Sequence, residues 1–240
     1  MSGTPATSAA VSAWDLPTRV FHWALVGLVL SAWLSFEFSE ELNDPRLVWH
    51  RGNGLIILTL VVWRLLWGIA GPDNERFVSF VRGPRTTFAY ARDLIRGTPR
   101  RFLGHNPLGA LLIVTLLAVV LAIAGLGLFA LEHNDNATGP LYRFAGEARA
   151  KVLTRWHRLL FENVLLLLIA VHIAANVFYA VVKREPLIAA MITGKKPAGS
   201  YVDADAAQPL ERPILRALLL LALAAGIVFG SILALGGKLP

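Results

Sequence analysis

The sequence predicts an all-α integral membrane protein crossing the bilayer five times, and three observations carry that reading. Only 16% of its 240 residues are charged while 55% are hydrophobic, against about a quarter charged in an ordinary soluble domain. Mean hydropathy is +0.57. The uncharged residues gather into long runs, each close to the ~20 residues an α-helix needs to span hydrocarbon.

Residues 1–13, "MSGTPATSAAVSA", hold small residues but no basic stretch leading into a short apolar core. A cleaved signal peptide needs both, so the first apolar run is expected to remain as an anchor. That run covers residues 18–37 and contains a single histidine, His22. The second, residues 50–71, opens on His50 and carries Arg64. The third, residues 107–131, is free of charge and is entered through "GHNPLGA", where Asn106 before Pro107 reads as an N-cap with proline at the first helical position. The fourth, residues 156–182, carries His157, Glu162 and His172, and the fifth, residues 214–237, is uncharged from Ala217 to Gly237. Trp14, Trp23, Trp33, Trp49, Trp67 and Trp156 stand at the ends of these runs, as in an interfacial aromatic belt, and Trp63 stands deeper.

The connections are expected to be of three kinds. "FVSFVRGPRTTFAYARDLIRG" spaces Phe77, Phe80, Val81, Phe88 and Ala91 near helical periods among arginines, the composition of a helix lying in the interface. "LYRFAGEARAKVL" is expected to do the same at the other surface, and "GKKPAGSYVDADAAQP" reads as a polar linker. Lys and Arg number 14 in the N-terminal arm and the 72–106 and 183–216 connections, against 8 in the 38–51 and 132–158 connections and the tail. The positive-inside rule then puts the N-terminus in the cytoplasm and the C-terminus outside. The net charge of +7 and pI of about 10.2 fit basic loops beside anionic lipid rather than nucleic-acid binding.

Chemistry in this chain rests on histidine. Cysteine is absent, which excludes disulfides, thiolate zinc sites and iron–sulfur clusters. With the helices alternating in direction, His50 and His157 fall at one depth near the outer surface, and His22 and His172 at one depth near the inner surface. His172 lies 15 residues beyond His157, about 22 Å along a helix and roughly 60° around it. Two imidazoles with no cysteine and few carboxylates at their depth underfill a zinc site. A haem, which supplies four nitrogens itself and asks for one or two axial ligands, is satisfied by them. Without cysteine no covalent attachment is available, so the expected cofactor is two haem b. Their propionates need cations. Arg64 is the candidate at the inner site, and Arg51, Arg155 and Arg158 at the outer one.

The strings "WDLPTRVFHW", "WHRGNGLIILTLVVWRLLWGIAGP", "GHNPLGALL" and "RWHRLLFENVLLLLIAVHIAANVFY" resemble the bacterial cytochrome b561 family, which includes the b-type cytochrome subunits of membrane nickel–iron hydrogenases. The resemblance covers residues 13–196. It implies a four-helix haem-binding transmembrane bundle, residues 1–196, and leaves residues 197–240 as a linker and an additional C-terminal transmembrane helix. That helix either covers the bundle or meets a partner subunit. The resemblance also implies ligands from the first, second and fourth helices, in the pairing that depth gives. Many relatives space the fourth-helix pair by 14 residues, so the 15 here predicts a local irregularity around Leu160–Asn163.

The implied function is electron transfer in a bacterial inner membrane, as part of a respiratory chain. Quinone is the expected partner at one side, and a periplasmic c-type cytochrome or other redox protein at the other. Whether the chain turns over quinone itself or serves as one subunit, and whether it forms an oligomer, stays open. His105 and Asn106 are candidates to hydrogen-bond a propionate or a quinone carbonyl. His133 reads as a solvated loop residue, and Glu162 as a shallow carboxylate. The competing reading is a haem-free membrane subunit or transporter whose histidines bind protons or metal ions.

Overall fold

The computed structural model describes residues 10–132, 137–203 and 212–240; His133 lies outside them. The described residues are mostly helical. A short strand β1 (Ala10–Ser12) precedes α1 (Leu16–Glu37) and α2 (Val48–Ala70). A 3-10 turn (Asp73–Glu75) leads into α3 (Phe77–Phe80) and α4 (Pro84–Ile95), followed by α5 (Pro107–Gly127). Next, α6 (Tyr142–Leu159), a π turn (Leu160–Leu165) and α7 (Leu166–Val181) run on without interruption. The chain ends with α8 (Leu187–Thr193), strand β2 (Lys195–Pro197) and α9 (Pro213–Ala234). Five of these helical stretches are long and apolar enough to cross a membrane, as expected.

The caps explain where the spans start. The Asp15 carboxylate accepts from Thr18 N at 2.7 Å and closes the first turn of α1. Asp44, from the acidic connection before α2, accepts from both Val48 N (2.9 Å) and Trp49 N (3.0 Å). The Asn106 side chain accepts from Gly109 N at 2.8 Å, the N-cap read from the sequence. The third and fifth spans end earlier than expected, at Gly127 and Ala234. Residues beyond Gly127 turn away to bridge Leu131 with Thr138, and Gly236 takes a φ of +69° that stops α9.

α2 is the central helix, with half of its apolar stretch buried, and α1, α5 and α9 surround it. Phe21, Trp63, Trp67, Leu117, Ala217 and Ala224 make one core layer; Ala32, Ile57, Val61, Val120 and Leu165 make another. Trp63 donates from Nε1 to the Ala217 carbonyl at 2.9 Å, so α9 covers the bundle. Val20, Leu30, Leu111, Leu167, Leu219 and Leu223 face outward, as lipid contact requires.

Four elements differ from the sequence reading. Trp67 is fully buried, stacks on Trp63 with ring centres 5.4 Å apart, and donates to Asp15 Oδ2. It is a core residue, not part of an aromatic belt, because its polar edge found an internal acceptor. "LYRFAGEARAKVL" is not a separate interfacial helix. After a kink at Gly146 (φ +68°), the helix from Glu147 runs straight on into the span. Its roughly 35 residues reach about 52 Å, beyond the ~30 Å hydrocarbon. The supposed linker after residue 193 is partly docked: β2 pairs antiparallel with β1, and Asp203 accepts from Leu103 N and Gly104 N. In the interfacial segment, Tyr90 is the buried residue of α4, while Phe88 and Ile95 project outward beside Arg85 and Arg92.

Candidate functional site

The histidines meet in the expected pairs. The His50 and His157 rings have centres 6.0 Å apart, and those of His22 and His172 are 6.3 Å apart. An imidazole nitrogen binds a metal at about 2.0 Å with its ring centre roughly 1 Å further back, so two imidazoles in line on one metal have centres about 6 Å apart. Both pairs have that separation. Among the described residues no group of three or more His, Cys, Asp or Glu converges to hold a metal ion. Each pair offers two imidazoles, and a haem iron asks the protein for one or two axial ligands.

The His50–His157 pair, expected from the sequence to be the outer one, is oriented in advance. His50 Nδ1 donates to the Ala32 carbonyl and His157 Nδ1 to the Ile123 carbonyl, each at 2.8 Å. A carbonyl oxygen has two lone pairs, so it can serve a helix N–H and an imidazole together. With Nδ1 occupied as a donor, Nε2 is left as the free base, the tautomer that metal-ligating histidines hold through their outer partner. The rings face a cavity of about 260 Å³ lined by Arg51, Gly54, Gly127 and Arg158, among others. A Cβ at Gly54 would meet nothing within 4 Å, whereas one at Gly127 would lie 3.3 Å from His157 Cε1. Gly54 therefore keeps open the space beside the pair, and Gly127 lets α5 approach the ring.

The inner pair is less constrained. His22 Nδ1 is buried with no hydrogen-bond partner, and His172 Nε2 lies 3.3 Å from the Asn176 amide nitrogen one turn on. Neither ring has the carbonyl acceptor that fixes its outer counterpart. The π turn between His157 and His172 is the irregularity predicted from their spacing. It absorbs one extra residue, so that two histidines 15 apart serve opposite ends of one helix.

The cations divide by position. Arg51 lines the outer cavity and its Nε has no partner, which suits an anionic group entering there. Arg158 also lines it, with Glu162 3.8 Å away on an exposed surface. Arg155 is exposed and does not line the cavity. Arg64 is 3% exposed and does not snorkel. Both terminal nitrogens donate to the Glu75 carbonyl at 3.4 Å, and Nη2 is 3.8 Å from the Glu75 carboxylate.

His105 is half-buried between Trp14 and Phe80, whose ring centres are 4.4 and 4.8 Å away, and its buried Nδ1 has no partner. Burial first, then the nearby Arg64 and Lys196 charges, push its pKa well below the usual value, so it is neutral. Asn106 is fully engaged. Besides capping α5, it donates to Tyr179 Oη at 3.1 Å, and that hydroxyl bonds Tyr90 Oη at 2.9 Å. The Ala32 and Ile123 carbonyls, Gly54, Gly127 and Glu75 were not singled out from the sequence.

Known proteins resemble this chain in sequence. The family model described as prokaryotic cytochrome b561 matches residues 13–194. A probable Ni/Fe-hydrogenase B-type cytochrome subunit of Azotobacter vinelandii is 23% identical over 215 residues, covering 77% of this chain and 88% of that one. The protein of the same description from Bradyrhizobium diazoefficiens is 22% identical, covering 78% and 85%. No solved structure matches the chain significantly.

Proposed function

The chain belongs to the prokaryotic cytochrome b561 family, and from that premise we propose that it carries electrons across a bacterial cytoplasmic membrane through two b haems, one at each histidine pair. The carrying observation is the pair geometry: two rings about 6 Å apart at each end of one bundle. Bound haem supplies a one-electron iron couple, and the protein sets its potential through axial ligands, burial and hydrogen bonds. In this reading His50 and His157 hold the outer haem, with Arg51 and Arg158 toward its propionates and Arg155 further out. His22 and His172 hold the inner one, with Arg64 behind it and His105 offering its free Nδ1 to a propionate or a quinone carbonyl. Asn106 fixes the turn that presents His105. The sites stand about 22 Å apart along the fourth helix, and two large macrocycles bring their edges closer than that.

Residues 1–196 are then the haem-holding unit, to which residues 197–240 add a covering helix. Membrane quinone is the partner we assign to the inner end. A c-type cytochrome or other redox protein is assigned to the outer end, and relatives described as hydrogenase subunits support a redox-protein partner only in general. Pyridine haemochrome analysis of the purified chain should give two b haems per polypeptide. His157→Ala and His50→Ala should each remove the same half, while His172→Ala and His22→Ala remove the other. A chain without haem overturns the reading in favour of histidines that bind protons or metal ions. Loss of one common haem in His50→Ala and His22→Ala overturns the pairing.

A further inference from the structure

The turn after α2 holds a buried acid that electron transfer does not itself require. Glu75 is 0% exposed, and neither of its carboxylate oxygens has a hydrogen-bond partner. The Thr18 hydroxyl, one turn before His22 on α1, is likewise buried and unpartnered. Arg64 is 3.8 Å from the carboxylate, too far for a hydrogen bond, and spends its N–H groups on the Glu75 main chain. A buried ionised carboxylate without donors is strongly penalised, and a proton removes the penalty.

We propose that the Glu75 carboxyl is a proton-binding site coupled to the redox state of the inner histidine pair, taking up one proton when one electron arrives there. This rests on the inner pair holding haem. The balance is simple: an external one-electron reductant adds one negative charge at the inner iron, and water at that end of the bundle supplies one proton to a Glu75 oxygen. No other bond changes. Water is close, because Asp73 and Arg76 in the same turn are about 45% and 39% exposed and pair with each other.

The charged neighbours set the direction. Burial and then the Asp15 carboxylate raise the Glu75 pKa; Arg64, and after it the nearby Asp15 main-chain N–H and Thr18 hydroxyl, lower it, and the outcome is about 7. From α1, Asp15 faces the group while already accepting from Thr18 N and Trp67 Nε1. From α2, Arg64 faces it, and behind Arg64 stands the neutral His105. Arg19 turns away to the Ile192 carbonyl on α8. Reduction nearby adds negative charge, which raises the carboxyl's affinity for a proton. The midpoint of the inner haem must then fall as pH rises through the region where Glu75 titrates.

The test is an optical redox titration of the full haem-loaded chain across about pH 5 to 9, after haem has been counted. The expected result is one component whose midpoint falls with pH in the wild type and is flat in Glu75→Gln. The other component should be the same in both, and Glu75→Asp should recover part of the slope. Infrared difference spectra of the wild type with carboxyl-labelled glutamate should gain a protonated-carboxyl band on reduction. That measurement decides the question if Glu75→Gln does not assemble. A pH-independent inner midpoint, an unchanged slope in Glu75→Gln, or no such band overturns the proposal while two counted haems leave the haem reading intact. A count of one, with the inner pair empty, overturns both.

Discussion

Gly54 shows how much of the site depends on what a residue lacks. It stands one turn after His50, and its missing side chain leaves open space beside the rings. Gly54→Leu fills that space with a group the helix tolerates well. It should therefore leave the fold intact while haem content falls by about half, with the inner spectrum unchanged; circular dichroism and haemochrome analysis together check this. The histidines themselves were legible because residue type, spacing and depth all reside in the sequence. The acceptors that orient His50 and His157 were not. Every residue carries a carbonyl, and nothing in the names alanine and isoleucine marks Ala32 and Ile123 as the ones a neighbouring helix would bring within 2.8 Å.

The π turn Leu160–Leu165 lets the fourth helix serve both ends of the bundle. Deleting Asn163 should convert it to regular α-helix, keep both rings facing inward, and leave two haems. Inserting one alanine after Val164 should instead rotate His172 by about 100° and move it by about 1.5 Å, costing the inner haem and sparing the outer one. Haem stoichiometry and the two spectral components distinguish these outcomes. Equal loss from both changes would mean that the turn is not what aligns the pair. This irregularity could be anticipated because a 15-residue spacing fits the facing requirement imperfectly. By contrast, β1 pairs with β2 across more than 180 residues of chain. Neither three-residue segment has a strand pattern long enough to read, and only the closed bundle brings them together.

Contacts between the ends of the chain fix the relative topology of the bundle. At one end, β1 is paired with β2, Trp14 rests against His105, and Asn74 donates to the Ala13 carbonyl. This gathers the N-terminal arm, the 72–106 connection and the segment after α7. At the other end, Arg143 donates to the Leu235 carbonyl and Pro140 lies against Gly237, so the C-terminal residues sit with the α5–α6 connection. The two ends of the chain are thus on opposite sides of whatever the bundle spans, as five crossings require. Lys and Arg favour the first end by 14 to 8. An excess of Lys and Arg marks the cytoplasmic side of a membrane protein. A reporter fused within residues 73–100 should therefore read as cytoplasmic, and one fused after Lys238 as periplasmic. Both on one side would mean that α9 lies along the bilayer instead of crossing it. That outcome would be hard to square with Trp63 bonding the Ala217 carbonyl and with Val228 and Ile232 packing on Leu55 and Leu58 at the far end of α2, contacts that hold α9 alongside a spanning helix for its whole length.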